Sequence, residues 1–142
     1  MPFLTEVAST FQSQAASVGV TINVQVAANM PLVDIDPRRL RQVLTNLLTN
    51  DLRYSPAGGS IRLAGESDGE NILLSIQDDG PGISPEDLPH VFERFYKSAD
   101  SGGMGLGLAI AKHIVEAHGG SITAENAPDR GTIFRIKLPM TG

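Results

Sequence analysis

The amino-acid sequence predicts an α+β fold, a two-layer α/β sandwich in which a mixed sheet of about five strands carries three long helices on one face. Three stretches repeat apolar residues at helical spacing, and shorter alternating stretches between them are typical of strands. Most of these strands are joined by short turns, as in β-hairpins, so much of the sheet should be antiparallel. With 142 residues, 41% of them hydrophobic, the chain is expected to form one domain over residues 1–142.

Composition excludes several classes of function. The chain has no cysteine, and this rules out a disulfide framework, a thiolate metal site and a cysteine nucleophile. It has no run of about eighteen apolar residues and no basic segment followed by an apolar one, so we expect neither a membrane span nor a signal peptide. Its net charge of −5, without a block of Lys and Arg, argues against non-specific nucleic-acid binding.

The first helix and the first strand are predicted before residue 27. From Phe3 to Val18 apolar residues recur at spacings of one, three and four, which predicts an amphipathic helix closed by Gly19. Thr21–Val26 alternates between apolar and polar residues, as a half-buried strand does. Leu32–Ile35 is a candidate for a short second strand.

The second helix is predicted from Asp36, a good N-cap, and Pro37, a good first helical residue, to about Tyr54. It carries an apolar stripe that should face the core, made of Leu40, Val43, Leu44, Leu47 and Leu48. A polar stripe lies roughly 110° around the helix from it and consists of Gln42, Asn46, Asn50 and Arg53. Asparagine is a poor helix former, so two of them four positions apart are unusual there.

A hairpin and a turn-rich segment follow. Ser60–Glu66 and Asn71–Asp78 alternate as two strands around a short turn. The second strand runs into the turn-rich segment Asp78–Ile83, and Ser84–Asp87 has the cap and first-turn acids of a short helix. The main aromatic cluster comes next and consists of Phe92, Phe95 and Tyr96.

The last part of the chain should contain a lid, a helix and a hairpin. Residues 97–107 are small and polar, as in a mobile lid, and include four glycines. Leu108–His118 repeats apolar residues at helical spacing, and Ser121–Glu125 and Thr132–Leu138 are expected to form the final hairpin.

Glycines at a helix start suit a phosphate, because free N–H groups there attract anions. Neither common phosphate motif is present, however. The G-x-x-x-x-G-K-[ST] loop needs a lysine where Leu108 stands, and G-x-G-x-x-G needs a glycine at Leu108 or Ile110. Taken alone, the glycine-rich stretch Ser101–Leu108 is compatible with a phosphate-binding loop and with a plain flexible loop.

Four sequence blocks in order resemble the nucleotide-binding blocks of sensor histidine kinases. They are an N-box, N-x-x-x-N-x-x-[KR]-[YF], at Asn46–Tyr54, a D-x-G-x-G box at Asp78–Gly82, an aromatic block at Phe92–Lys97, and a G-x-G-x-G box at Gly103–Gly107. Each block is loose, but four in sequence are highly specific. The resemblance covers about residues 36–139 and implies the catalytic, ATP-binding domain of such a kinase, with the Bergerat-type fold of the wider ATPase and kinase superfamily.

The resemblance implies a nucleotide contact in each block. Asn50 corresponds to the family's metal ligand, whose neutral carbonyl oxygen suits Mg²⁺. Asp78 corresponds to the adenine reader, because a carboxylate accepts from the exocyclic amine of adenine and repels the carbonyl of guanine, so ATP should bind better than GTP. Thr132 resembles a threonine that reaches adenine through water. The other expected nucleotide contacts are Gly80, Gly82, Ile83, Gly103, Gly105, Leu106, Gly107, Leu108 and Tyr54, the last of which could instead close the core.

The resemblance also implies catalytic residues. Arg53 and Lys97 correspond to positions that reach the triphosphate, where positive charge stabilises a transferring phosphoryl group, and their alternative is a plain exposed cation. Asn46 stands where the ATP-hydrolysing relatives have a glutamate as general base. Because asparagine cannot take a proton, Asn46 favours transfer over hydrolysis and should be a second polar contact to metal or phosphate, beside Asn50.

The phosphorylated histidine is expected outside this chain. Family acceptors are followed by an acidic residue, whereas the three histidines here are followed by Val91, Ile114 and Gly119. The resemblance therefore implies, as partners, a separate histidine-bearing dimerisation domain and, through it, a response regulator. It implies a monomeric isolated domain without nucleic-acid or membrane contact, cytoplasmic as part of a membrane-anchored bacterial kinase.

Two alternatives stay open. A non-catalytic nucleotide sensor or partner-docking domain would keep the fold without phosphoryl transfer, and Asp51 favours it, because the family usually has a small residue after the metal asparagine. An ATP-hydrolysing conformational switch is disfavoured by Asn46. The kinase hypothesis predicts Mg²⁺-dependent ATP binding, with phosphate moved only when an acceptor domain is added.

Overall fold

The computed structural model describes residues 2–26, 37–54, 57–80, 82–93, 107–128 and 131–139. Its helices and strands, in chain order, are α1 (Pro2–Ser17), β1 (Thr21–Val26), α2 (Pro37–Tyr54), β2 (Ser60–Ser67), β3 (Asn71–Gln77), α3 (Gly107–Ala117), β4 (Ser121–Asn126) and β5 (Thr132–Pro139), with one 3₁₀ turn at Leu88–His90. Over these ranges, no helix combines the length and the apolar character needed to cross a membrane.

The five strands form one sheet in the order β1-β2-β3-β5-β4. β1 and β2 run parallel, with Thr21 opposite Ser60, and the other neighbours are antiparallel. The prediction of a mixed, largely antiparallel sheet is therefore confirmed. In the β3–β5 pair Gln77 lies opposite Ile133, so the end of β3 and the start of β5 are side by side.

One hydrophobic core lies between the helices and the inner face of the sheet. The predicted apolar stripe of α2 is buried in full, and α3 adds Ala111, Ile114 and Val115. The sheet contributes every second residue of its strands, among them Ile61, Leu63, Ile72, Leu74, Ile76, Phe134, Ile136 and Leu138. Burying each such large side chain stabilises the fold by about 1.5–3 kcal/mol. The predicted two-layer sandwich is confirmed.

Two predicted details are wrong. Helix α1 ends at Ser17, and Val18, predicted as its last apolar residue, is 47% exposed, because the chain turns there through Gly19 with φ at +74°. The short helix predicted to start at Ser84–Asp87 is a turn there, in which the Ser84 carbonyl accepts from the N–H groups of Asp87 and Leu88, both at 3.0 Å. The short helix itself is the 3₁₀ turn Leu88–His90 that follows. The predicted strand Leu32–Ile35, the N-cap Asp36, and Phe95 and Tyr96 lie outside the described residues.

Candidate nucleotide-binding site

Asp78 is a buried carboxylate directly after the end of β3. Only 3% of it is exposed, and of its three hydrogen bonds two hold it against Thr132 at the start of β5. Its backbone N–H donates to the Thr132 carbonyl at 3.0 Å. Its Oδ1 accepts from the N–H groups of Gly80 at 2.8 Å and Thr132 at 3.1 Å. The carboxylate is thus locked in one orientation by the strand pairing that brings residues 54 positions apart together.

The second carboxylate oxygen of Asp78 is the chemically available one. Among the described residues, Oδ2 accepts no hydrogen bond, whereas Oδ1 accepts two. A buried acceptor without a partner is costly, so this oxygen is suited to accept an N–H from a ligand. This arrangement is what recognition of an exocyclic amine requires.

Asp79, the neighbouring carboxylate, is already used within the fold. Its Oδ2 accepts from the N–H of Ser60 at 2.9 Å and from the Ser60 hydroxyl at 3.0 Å. These bonds tie the end of β3 to the start of β2, which is its neighbour in the sheet. Spacing within the D-x-G-x-G box selects Asp78 over Asp79, and the hydrogen bonds of the two carboxylates favour the same choice.

Glycines allow the chain to close around Asp78. Gly131 has φ at +94°, and a Cβ on it would lie 1.9 Å from the Asp78 carbonyl oxygen. Gly82 has φ at +83°, and a Cβ there would lie 2.9 Å from the Asn126 side-chain oxygen. The positive φ would strain a residue with a side chain at both positions. At Gly131 its Cβ would also overlap the Asp78 backbone, whereas at Gly82 the Asn126 side chain would have to move.

Asn126 is a residue of this site that sequence reasoning missed. Its Oδ1 accepts from the N–H of Ile83 and its Nδ2 donates to the carbonyl of Ile83, both at 2.7 Å. The only signal for it in the sequence is an asparagine before a turn, which is ordinary. Its partner lies 43 positions upstream, and no local pattern connects the two.

Asn46 and Asn50 lie one turn apart on α2, and both are half-buried. The side-chain Nδ2 of Asn46 donates to the carbonyl of Gly107, the first residue of α3, at 3.0 Å. This bond links the N-box to the end of the glycine box across 61 positions. It occupies the amide nitrogen and leaves the amide oxygen of Asn46 to bind elsewhere. The first N–H groups of α3 have no acceptor within the helix, as at any helix start.

The structure describes only some of the other predicted site residues. Lys97, Gly103, Gly105 and Leu106 lie outside the described residues, as do the side chains of Arg53 and Tyr54 in α2; their roles stay predictions. Leu108 is half-buried and packs against the core. Phe92 also packs against the core, edge-to-face on Phe134 with ring centroids 6.1 Å apart.

Comparisons with known proteins identify the relatives of this chain. Residues 35–142 match the family described as histidine kinase-, DNA gyrase B-, and HSP90-like ATPase. The signal transduction histidine-protein kinase AfsQ2 of Streptomyces coelicolor is 45% identical over 109 residues, covering 74% of this chain and 20% of AfsQ2. BaeS of Escherichia coli, another such kinase, is 36% identical over 99% of this chain and 31% of BaeS. The chain thus spans about a fifth to a third of these two relatives.

The chain also resembles solved structures of histidine kinases. The nucleotide-free catalytic domain of the histidine kinase ThkA superposes with a TM-score of 0.88 at 28% identity, covering 99% of this chain and 93% of that domain. ThkA in complex with the response regulator protein TrrA superposes with a TM-score of 0.83 at 27% identity, covering 98% of this chain and 40% of that one.

Proposed function

Since this chain belongs to the histidine kinase-, DNA gyrase B-, and HSP90-like ATPase family, we propose that it is the ATP-binding catalytic domain of a sensor histidine kinase. It binds Mg-ATP and transfers the terminal phosphoryl group to a histidine on a separate dimerisation domain. The observation that carries the proposal is the orientation of the Asp78 carboxylate, with Oδ1 bonded to backbone N–H groups and Oδ2 available inside a buried site.

Adenine selectivity follows from that carboxylate. The exocyclic amine of adenine donates to Asp78 Oδ2, whereas guanine has a carbonyl at that position and is repelled. Gly80, Gly82 and Ile83 are assigned to the base, and Thr132, whose backbone holds Asp78 in place, contacts the base through water. Tyr54 is a further contact of the nucleotide.

The triphosphate is assigned to the region where α2 and α3 meet. Among the described residues, no group of three or more His, Asp or Glu is placed to hold a metal ion, so Mg²⁺ would depend on the amide oxygens of Asn50 and Asn46 and on phosphate oxygens. Such neutral oxygens fit its preference for hard ligands, and the ion supplies charge neutralisation of the phosphates. The remaining phosphate and lid contacts are Arg53, Lys97, Gly103, Gly105, Leu106, Gly107 and Leu108.

Asn46 favours transfer of the phosphoryl group over hydrolysis of ATP, because asparagine cannot act as a general base toward water. Two of the three histidines have partners within the fold, since His118 Nδ1 lies 2.7 Å from the Ile114 carbonyl and His90 Nδ1 lies 2.8 Å from Glu93. None of the three, His113 included, is followed by the acidic residue of the family acceptors. The acceptor histidine is therefore assigned to another domain. By analogy with ThkA, which forms a complex with a response regulator, the phosphoryl group then passes to a response regulator.

Calorimetric titration with ATP and Mg²⁺ tests nucleotide binding, on the native chain, on Asp78→Asn and on Asp68→Asn as a control. In Asp78→Asn the side-chain oxygen must still accept from Gly80 and Thr132, so the new NH₂ group replaces Oδ2 and faces the adenine amine. Affinity should fall at least about tenfold, since a hydrogen bond to a charged group contributes roughly 1.5–3 kcal/mol. Asp68→Asn changes an exposed turn residue and should bind normally.

The outcomes separate the hypotheses. If the native chain does not bind ATP, or if Asp78→Asn binds it equally well, the proposed function is wrong. Transfer is followed with γ-labelled ATP after addition of the histidine-bearing domain of the same kinase. Tight binding without label transfer would instead favour a nucleotide sensor, and rapid phosphate release by the chain alone would favour an ATP-hydrolysing switch.

A further inference from the structure

Asn126, the last residue of β4, pairs with both backbone groups of a single residue. Its Oδ1 accepts from the Ile83 N–H and its Nδ2 donates to the Ile83 carbonyl, each at 2.7 Å. This pairing imitates a neighbouring strand and fixes both the position and the orientation of Ile83. The Asn126 side chain is exposed, so the two bonds are not a consequence of burial.

Ile83 ends the turn that begins at Asp78, and Asn126 contacts that turn at a second point. Gly82, with φ at +83°, leaves only enough room for the Asn126 side chain, because a Cβ there would lie 2.9 Å from its oxygen. The other end of the turn is held by Thr132, which bonds both the backbone and the carboxylate of Asp78. Both ends of the turn are thus held by the two ends of one connection, between β4 and β5.

The β4–β5 connection is itself closed. The N–H of Ala127, directly after Asn126, donates to the carbonyl of Gly131, directly before Thr132, at 2.9 Å. The two residues that hold the turn are therefore tied to each other. A shift of Ile83 relative to Asp78 would have to break the Asn126 pair, the bonds between Thr132 and Asp78, or the β4–β5 pairing that this closing bond extends.

Asparagine suits this position better than the related residues. Aspartate would accept from the Ile83 N–H, but its second oxygen would face the Ile83 carbonyl and repel it. Serine has only one short hydroxyl, whereas the asparagine amide holds a donor and an acceptor in one plane. The two observed partners also determine which end of the Asn126 amide is oxygen, because the N–H must meet an acceptor and the carbonyl a donor.

We propose that Asn126 is a positioning residue for adenine recognition, which sets the selectivity for adenine by fixing Ile83 and Gly82 relative to the carboxylate of Asp78. This inference rests on the proposed function. Asn126 acts through Ile83 and makes no contact with the nucleotide itself, so removing it should change how well the site distinguishes one base from another.

The experiment compares the affinities for ATP and for purine riboside triphosphate, which lacks the 6-amine. The native chain should favour ATP by about tenfold or more. In Asn126→Ala that preference should fall about threefold to tenfold, the range expected for losing one or two hydrogen-bonded constraints. Asn23→Ala, an exposed asparagine on β1, is the matched control and should keep the native preference. Thermal unfolding of each variant is measured alongside.

The failure of this inference is distinguishable from failure of the proposed function. A native chain without preference for ATP would overturn both. A native preference that is unchanged in Asn126→Ala would overturn the inference alone, and so would an equal loss of affinity for the two nucleotides, since that is the effect of a merely structural role.

Two further measurements apply if Asn126→Ala is unfolded. Asn126→Asp, which keeps the acceptor and loses the donor, is then tested by the same criterion. If that variant is also unfolded, the inference is tested by the hydrogen-exchange rate of the Ile83 amide in the native chain. It should be slower with ATP bound than with purine riboside triphosphate bound, and equal rates would overturn the inference.

Discussion

At the scale of the residue, the geometry of the candidate site depends on glycines. Thr132 can hold the Asp78 carboxylate only because the residue before it, Gly131, has no side chain. The Gly131 backbone can therefore lie directly against the Asp78 carbonyl. Spacing within the D-x-G-x-G box was enough to predict Asp78 from sequence. It contained no information on Gly131, whose close contact arises only when β5 pairs with β3.

Gly131→Ala should destabilise the fold by more than about 3 kcal/mol, because the new Cβ would overlap the Asp78 carbonyl oxygen in addition to straining the backbone. Gly69→Ala is the matched control, since Gly69 has φ at +95° but no atom within 4 Å of its Cβ position. It should lose only about 1–2 kcal/mol, the backbone strain alone. Urea unfolding measures both, and equal losses would show that the contact with Asp78 does not matter.

At the scale of the element, α2 contributes to the core with one face and to the candidate site with another. The apolar face was predictable because burial follows the helical period, and each of its five residues is buried. The polar face was predicted to meet metal or phosphate. The structure adds a contact that the pattern could not reveal, from Asn46 to the start of α3.

Asn46→Ala should loosen the start of α3, because the Gly107 carbonyl loses its side-chain donor. We expect the amides in the first turn of α3 to exchange with solvent about threefold to tenfold faster, and the free energy of unfolding to fall by about 0.5–1.5 kcal/mol. Thr49→Ala, at an exposed position on the same helix, serves as control. Hydrogen exchange followed by mass spectrometry gives the measurement, and identical rates in the two variants would contradict a link between α2 and α3.

At the scale of the whole molecule, the sheet carries helices on one face and a polar surface on the other. The outer face has exposed cations at Arg62, Arg135 and Lys137, of which Arg135 is paired with Glu125. The candidate site residues described above lie instead on the polar face of α2, at the start of α3, at strand ends and in turns. A nucleotide bound there would therefore contact several elements of the fold at once.

ATP with Mg²⁺ should raise the melting temperature of the native chain. A ligand at a concentration of 100 times its Kd stabilises a folded protein by about 2.7 kcal/mol, which corresponds to a rise of several degrees for a domain of this size. For Asp78→Asn we expect at most about half of that rise at the same ATP concentration, because a tenfold loss of affinity lowers the stabilisation to about 1.4 kcal/mol. Differential scanning fluorimetry measures both, and an equal rise in the two proteins would mean that ATP binds away from Asp78.

The sequence by itself predicted the three long helices and the five strands, the buried apolar face of α2, and the four blocks that resemble the family. Each of these depends on local periodicity or on spacing within a few residues. Only the tertiary structure decided which oxygen of Asp78 is available, which residue holds Ile83, and which carbonyl Asn46 binds. The partners in these contacts are separated by 54, 43 and 61 positions. A hydrogen bond between such distant residues depends on strand register and helix packing, which no local pattern encodes.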